Sequence, residues 1–312
     1  MTDRMKRSLV IGSRGSKLAL WQAEHVQSQL QASDPNLTVH IEIIRTTGDV
    51  KTDPLTVIGG KGVFTKELED ALLDGRIDLA VHSLKDLPTV VPDTLTIAAI
   101  CQREDPRDAL VLRQAQPISS LRDLPDEALV GTSSQRRIAQ LKSLCPRVRI
   151  KDLRGNVDTR LRKLDDGQCD AVILASAGLL RLGLSNRIDF AIPPSEMLPA
   201  VGQGALVIET RADNEAAINA AGKLQHDQTR VACVAERALL RSLGGGCQLP
   251  IAAHALVDDT TLRLEALVAS PDGARIVRGT ISGSTAHATE LGVNLADKLR
   301  ADGADAILQE YL

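Results

Sequence analysis

Aromatic side chains are almost missing from this 312-residue chain, which has one Trp, one Tyr and two Phe. So few rings exclude a platform that stacks exposed bases. Neither charge sign dominates, because 37 Lys and Arg face 40 Asp and Glu for a net charge of -3. That balance argues against coating nucleic acid or anionic membrane through global charge. The longest apolar run, 171–180, stops at Arg181 and is too short to span a bilayer. The opening residues MTDRMKRSLVIGS lack the longer apolar stretch of a secretory signal, so the expected location is the cytoplasm. The five cysteines, Cys101, Cys145, Cys169, Cys233 and Cys247, are widely spaced and contain no CxxC. This sets aside a disulfide framework or a zinc knuckle. The six histidines form no HExxH and no His-rich tract, so no metal site is expected. No GxxxxGK[ST] is present either, and GGKG at 59–62 has the wrong spacing for a nucleotide loop.

What remains is an ordinary globular composition, 43% hydrophobic and 25% charged, long enough for about two domains or three small ones. Strand and helix patterns alternate over the first two thirds. SLVIGS reads as a strand and 16–30 as a helix with apolar spacing. TVHIEIIR, 77–81 and 95–101 read as further strands, 64–73 as a helix, and 46–63 as a Gly- and charge-rich loop. QREDPRDAL breaks the pattern with charge and proline, as a crossing between domains would. A second series follows, in which ALVGTSS, VRIKDL and DAVILAS each lead into a helix. Such alternation predicts mostly parallel sheets covered by helices. MLPAVGQGALVIE carries another crossing and a strand that returns to the first domain, the hinged plan of bilobal, periplasmic-binding-protein-like folds. Beyond about residue 225 come a long helix over 230–243, three alternating segments and a final amphipathic helix. These predict a small α+β domain with an antiparallel sheet. The expected domains are 1–102 with 198–222, then 103–197, then 223–312. No internal repeat of fixed period is visible.

Three stretches carry chemistry. In GTSSQRR, Thr132, Ser133 and Ser134 stand where a helix begins, with Arg136 and Arg137 in its first turn. Cations there oppose the helix dipole at a cost of about 0.3–1 kcal/mol each, which a bound anion would offset. Arg14-Gly15-Ser16 and Arg154-Gly155-Asn156 also open helices, Arg160 follows a turn later, and Arg181 lies beyond DAVILAS. All fall at the sheet end where β/α domains bind ligands. Arginine forks suit carboxylates, so these residues fit a substrate with several of them; phosphate is the competing reading. In DLAVHSLKDLP, a strand delivers Ser83, Lys85 and Asp86 to its C-terminal end, while His82 points inward as a structural residue. A carboxylate there can bond N–H groups, stabilise a developing cation or move a proton; the alternative is a Lys–Asp surface turn. In SLGGGCQLP, three glycines leave Cys247 with little cover. A thiol beside a basic cleft is partly thiolate and nucleophilic.

These residues resemble a known family over essentially the full length. RGSKLALWQ, GGKGVFTKELE, DLAVHSLKDLP, REDPRDA, GTSSQRR, LRGNVDTRL, GLLRLGL, LPAVGQGA and GGGCQLPI occur in order from end to end, and together they are similar to porphobilinogen deaminases (hydroxymethylbilane synthases). The resemblance implies two domains like those of bilobal binding proteins plus a third that carries a cysteine. It implies a transferase that joins four porphobilinogen molecules head to tail into a linear tetrapyrrole and releases four ammonia. It implies a dipyrromethane cofactor, made from the same substrate and bound through a thioether, with Cys247 at the matching cysteine. Asp86 matches the catalytic aspartate. Lys85, Ser83, Arg136, Arg137, Thr132, Ser133, Ser134, Arg160 and Gln203 match cofactor contacts; Arg14, Ser16, Arg154, Arg160, Arg181 and Lys61 match substrate contacts. Independently, a buried carboxylate at Asp86 suits the cation left when ammonia departs.

The segment GDVKTDPLTVIGGKG is one residue shorter than in some relatives, and Val57 stands where some carry a second lysine four residues before Lys61. A non-catalytic bilobal binding protein for a dicarboxylate or oxyanion is the rival reading; it accounts for the arginines but not for Cys247 or the third domain. A phosphate-handling transferase lacks a nucleotide loop, and an effector-binding regulator lacks a DNA-reading helix pair. With no long exposed apolar stripe in the pattern, the expected state is a monomer; the resemblance implies that it hands its product to the next tetrapyrrole enzyme.

Overall fold

The computed structural model describes residues 7–46, 65–246 and 249–311. Contacts divide the chain into two units, Met1–Arg103 with Ala205–Arg230, and Glu104–Gly204 with Val231–Leu312.

The first unit contains β1 (Arg7–Ser13), α1 (Lys17–Ser33), β2 (Leu37–Ile43), α2 (Lys66–Leu73), β3 (Leu79–Ser83) and β4 (Leu95–Ile100). The sheet order is β2-β1-β3-β10-β4, where β10 (Leu206–Arg211) comes from far along the chain. β1 runs parallel to β2 and β3, whereas β10 is antiparallel to both β3 and β4. The returning strand expected from GALVIE is therefore present, between β3 and β4. Alternation decides the faces. Leu79 and Val81 join α1 residues Ala23, Val26 and Leu30 in one apolar cluster, while Ala80 joins α2 residues Leu68, Ala71 and Leu72 in another. His82 shares the parity of Ala80. It is buried, and its Nε2 lies 3.0 Å from an oxygen of the fully buried Glu209 on β10, beside a register shift at Ile208/Glu209. The structural reading of His82 thus holds, with a partner that sequence reading did not supply.

The second unit opens with β5 (Asp108–Leu112), β6 (Leu129–Gly131), α3 (Gln135–Leu144), β7 (Arg149–Lys151), α4 (Val157–Asp165), β8 (Ala171–Ala175), α5 (Ser176–Arg181) and β9 (Phe190–Ile192). Its sheet order is β7-β6-β8-β5-β9, with β6 parallel to β7 and β8, and β5 antiparallel to β8 and β9. Both sheets therefore share one plan: three parallel strands in the order second-first-third, then an antiparallel strand, then an edge strand. The sequence shows no repeat, so this duplication exists only in topology. Leu110 and Leu112 face Leu141 of α3, while Ala109 and Val111 face Leu161 and Leu164 of α4.

The unit also holds most of α7 (Asp227–Ser242) and the antiparallel meander β11 (Ile251–Asp258), β12 (Thr261–Ala269) and β13 (Ile276–Ser284), followed by α8 (Ala288–Ala301) and α9 (Ala304–Leu308). The remaining helix, α6 (Glu215–Gly222), belongs to the first unit. One face of the meander packs on Leu239, Leu295 and Leu299, and the other places Ala252, Leu267 and Ala269 against Ala139 and Leu198. Glu236 of α7 is fully buried; its two carboxylate oxygens accept the Gly202 N–H at 2.7 Å and the Ala255 N–H at 2.8 Å. Gly204 shows why glycine is needed in this segment. Its φ is +89°, and a Cβ there would lie 2.4 Å from the Glu104 carbonyl oxygen.

Tyr311, the only tyrosine of the chain, packs against the meander's core, and its hydroxyl donates to the Ala269 carbonyl at 3.3 Å. Burial, with the Asp272 charge adding to it, pushes its phenol up to about 12. A raised folded value gives a stabilising contribution that is complete below about pH 10 and is lost as pH rises through about 12. Absorbance at 295 nm should therefore show one phenolate step near 12 in the folded protein, returning to about 10 in denaturant; a folded step at 10 contradicts the packing.

Candidate active site

In the first unit, the C-terminal ends of β1 and β3 carry the expected residues. Arg14 and Ser16 follow β1, and Ser16 caps α1, its Oγ accepting the Ala19 N–H at 3.3 Å. Ser83 ends β3, and its Oγ accepts from Nε2 of the buried Gln22 at 3.0 Å. Lys85 and Asp86 sit in a single 3-10 turn, Leu84–Asp86, pinned by the buried Leu84, whose N–H donates to the Ala205 carbonyl at 3.0 Å. Asp86 is exposed in the structure, which corrects the expectation of a buried carboxylate. Leu84 and Leu87 on either side of the turn are buried, and Asp86 between them is left on the outside.

In the second unit, the residues of GTSSQRR follow β6. Ser134 occupies the cap position of α3 without a side-chain cap bond. The buried Thr132 accepts the Ser134 N–H at 3.3 Å, and Ser133 donates to the Leu153 carbonyl at 2.8 Å. Arg136 and Arg137 are each only 5% exposed. The charge that offsets them is Asp108, at the start of β5. Arg136 Nη1 lies 2.6 Å from Asp108 Oδ2, and Arg137 Nη2 lies 2.7 Å from Oδ1. The first-turn arginines therefore already have an internal anion, where sequence reading expected an external one alone. Asp108 also accepts from Gln203 Nε2 at 3.0 Å, and Gln203 is itself 1% exposed. Burial works to raise the Asp108 carboxyl, but the two guanidiniums outweigh it and hold the group well below the usual carboxylate range.

Arg181, at the end of α5, is buried and donates to the Gly204 carbonyl at 2.6 Å. Around the turn after β7, Arg154 Nε donates to Asp152 at 3.0 Å and Arg160 Nε to the Gly155 carbonyl at 2.7 Å. Gly155 permits that turn with φ +115°. The structure thus gathers Thr132, Ser133, Ser134, Arg136, Arg137, Arg154, Arg160, Arg181 and Gln203 in one unit, and Arg14, Ser16, Ser83, Lys85 and Asp86 in the other. Lys61 and Cys247 lie outside the described residues. Sequence reading missed Asp108, although a charged residue abutting the apolar run ALVL was a usable signal.

Residues 9–219 match the family model described as porphobilinogen deaminase, dipyromethane cofactor binding domain, and residues 230–301 match the C-terminal domain of the same family. The chain belongs to the porphobilinogen deaminase family. A porphobilinogen deaminase of Chromobacterium violaceum is 53% identical over 305 residues, covering 97% of this chain and 98% of that protein. One of Syntrophobacter fumaroxidans is 49% identical over 311 residues, covering 99% of each. Among solved structures, the periplasmic aliphatic sulphonate binding protein SsuA of Escherichia coli is similar at 15% identity with a TM-score of 0.42, covering 76% of this chain and 70% of that one; a likeness of that size carries no inference. The family assigns a transferase of tetrapyrrole biosynthesis, which joins porphobilinogen head to tail into hydroxymethylbilane with loss of ammonia on a dipyrromethane primer. The purely binding alternative is set aside. The residues present fit such a primer: a molecule with several carboxylates meets two buried guanidiniums that share a single internal carboxylate. No helix among the described residues is long and apolar enough to cross a membrane.

The depressed Asp108 value has a measurable sign. A lowered folded value gives stability that is present above the unfolded value of about 4 and is lost as pH falls through the folded one. Denaturant unfolding from pH 7 to pH 2 should show a decline below about pH 4, shallower in Asp108→Asn. Equal acid slopes in the two proteins contradict the assignment.

Proposed function

We propose that Asp86 is the catalytic acid–base group and that the arginines are the carboxylate-binding residues of the reaction, on one carrying observation. Two buried guanidiniums at the ligand edge of a β/α sheet share one carboxylate and leave surplus positive charge. When bound, the dipyrromethane supplies the pyrrole carbon from which the chain grows. Arg136, Arg137, Arg160, Thr132, Ser133, Ser134, Ser83, Lys85 and Gln203 hold its side chains and rings. Arg14, Ser16, Arg154, Arg160, Arg181 and Lys61 hold the incoming porphobilinogen. Each porphobilinogen brings two carboxylates, so bidentate arginine pairing fixes ring position as well as charge.

Asp86, on its exposed turn, is open to a ligand's pyrrole N–H groups. Its carboxylate oxygen accepts such a bond, stabilises the cation left as ammonia departs, and takes the proton released from the ring carbon that attacks that cation. Cys247 forms the thioether anchor. The three expected domains, 1–102 with 198–222, 103–197 and 223–312, stand as part of this proposal, supported by three sheets with separate apolar clusters. A reducing cytoplasm suits Cys101, Cys145, Cys169 and Cys233, which form no disulfide. A monomer, passing its product to the next enzyme, is the state proposed; the exposed Ile43, Leu73, Val90, Leu256 and Ile276 suit it, lying on four different elements and one loop.

Two variants test the roles. Asp86→Asn should keep the wild-type circular dichroism and lose turnover by a factor of about a hundred or more; normal turnover removes Asp86 from the mechanism. Cys247→Ser should fold but show, by intact-protein mass spectrometry, no added mass of two linked pyrroles. The same adduct on that variant overturns the anchor assignment.

A further inference from the structure

Asp108 is bonded to three residues of the site, Arg136, Arg137 and Gln203. Its Oδ1 accepts from Arg136 Nη2 at 3.2 Å, Arg137 Nε at 3.1 Å, Arg137 Nη2 at 2.7 Å and Gln203 Nε2 at 3.0 Å, and its Oδ2 accepts from Arg136 Nη1 at 2.6 Å. The two guanidiniums are held from the other side as well. Arg136 Nη1 donates to the Leu198 carbonyl at 2.8 Å, and Arg137 Nη1 to the Ile173 carbonyl at 2.9 Å. The main chain before Asp108 is fixed by the same Gln203, whose Nε2 donates to the Pro106 carbonyl at 2.7 Å. Both arginine planes are therefore set before any ligand arrives.

Charge completes the argument. Among the described residues, two guanidiniums and one carboxylate, with Asp108 fully buried and both arginines nearly so, leave one positive charge in a poorly solvated place. Burial accordingly lowers the Arg137 value despite the attraction of Asp108. Gln140 and Gln203, the polar neighbours from α3 and the segment before β10, are neutral. A purely structural cluster would be balanced, because an uncompensated buried charge is costly.

We infer that Asp108 is a positioning residue for the primer's carboxylates: it locks Arg136 and Arg137 in place and leaves one positive charge for one incoming carboxylate. The inference rests on the reading that these arginines hold the primer. It predicts a division between binding and rate. Asp108→Asn keeps the shape but removes the negative charge, so attraction for carboxylates does not fall; what is lost is the fixed geometry, and with it the rate.

The experiment follows primer assembly on the full-length apoprotein incubated with porphobilinogen, reading the two-pyrrole adduct by intact mass against time and substrate concentration. Wild type must acquire the adduct; if it does not, the underlying reading of the site fails, which is a separate result from any difference between variants. For Asp108→Asn the expected outcome is a saturating assembly rate lower by about tenfold or more, with an unchanged or lower half-saturating concentration. A saturating rate within twofold of wild type overturns the inference, and so does a defect confined to a raised half-saturating concentration. Should Asp108→Asn not fold, Asp108→Glu keeps the charge and displaces it by one methylene. It is expected to fold and to assemble several-fold more slowly at saturation; a wild-type rate overturns the inference. Failure of both variants to fold assigns Asp108 to the core alone and overturns it equally.

Discussion

An antiparallel strand set into an otherwise parallel sheet is the constraint on which each unit depends. In a wholly parallel sheet, the ligand edge is built only from residues that follow strands. Reversing one strand brings residues that precede it to that same edge. In the second unit β5 is the reversed strand, and its pairing sets Asp108 opposite Ala175, the last residue of β8. A carboxylate that enters the sheet thus meets arginines from the helix that leaves it. Strand parity does the rest, because Asp108 shares the face of Leu110 and Leu112, which look toward α3. In the first unit β10 is the reversed strand and sets Glu209 opposite Ala80, with its carboxylate on His82.

The two reversed strands serve different electrostatic ends. Asp108 faces two permanent cations, and since among the described residues its carboxylate is the only anion bonded to either guanidinium, the balance of that cluster is positive. Glu209 faces one imidazole and keeps its second oxygen buried without a hydrogen-bond partner, so that cluster has no cationic surplus to offer a ligand. Its position is structural: the pair ties β3 to β10 across a regular ladder, at the point where the pairing of β10 with β4 shifts register. The same topological device therefore yields a ligand-facing cluster in one sheet and a clamp in the other, and the residue types decide which.

Local periodicity made most elements legible. The helix read over 16–30 appears as Lys17–Ser33, with its buried face at Gln22, Ala23, Val26 and Leu30, because apolar spacing and a serine cap act within a few residues. The three C-terminal strands were legible for the same reason. The runs of hydroxyl and arginine residues after β6 also announced themselves, since cations in a first helical turn break a local rule. What pairs with them did not. Asp108 meets Arg136 across 28 residues and Glu209 meets His82 across 127, and neither link leaves a periodic trace. The exposure of Asp86 was likewise invisible, for it depends on a 3-10 turn of three residues rather than on the strand before it. The shared plan of the two sheets escaped because hydrogen-bonding order can be kept while side chains diverge.

The segment from Leu198 to Gly204 links these observations within the second unit. Leu198 accepts from Arg136 and Gln140 through its carbonyl, Gly202 donates to Glu236 of α7, Gln203 donates to Asp108, and Gly204 accepts from Arg181. Glu236 in turn holds Ala255 of β11. α7 and β11 are the elements on either side of the Gly-rich stretch that leads to Cys247 in the sequence. A short run of backbone therefore ties the frame of the cysteine-bearing segment to the arginine cluster through buried polar bonds. Because buried polar groups are costly to leave unpaired, neither end of this run can shift without breaking bonds at the other. Gly204, with a left-handed φ and no room for a Cβ, is the point at which the chain can make that turn and go on into β10.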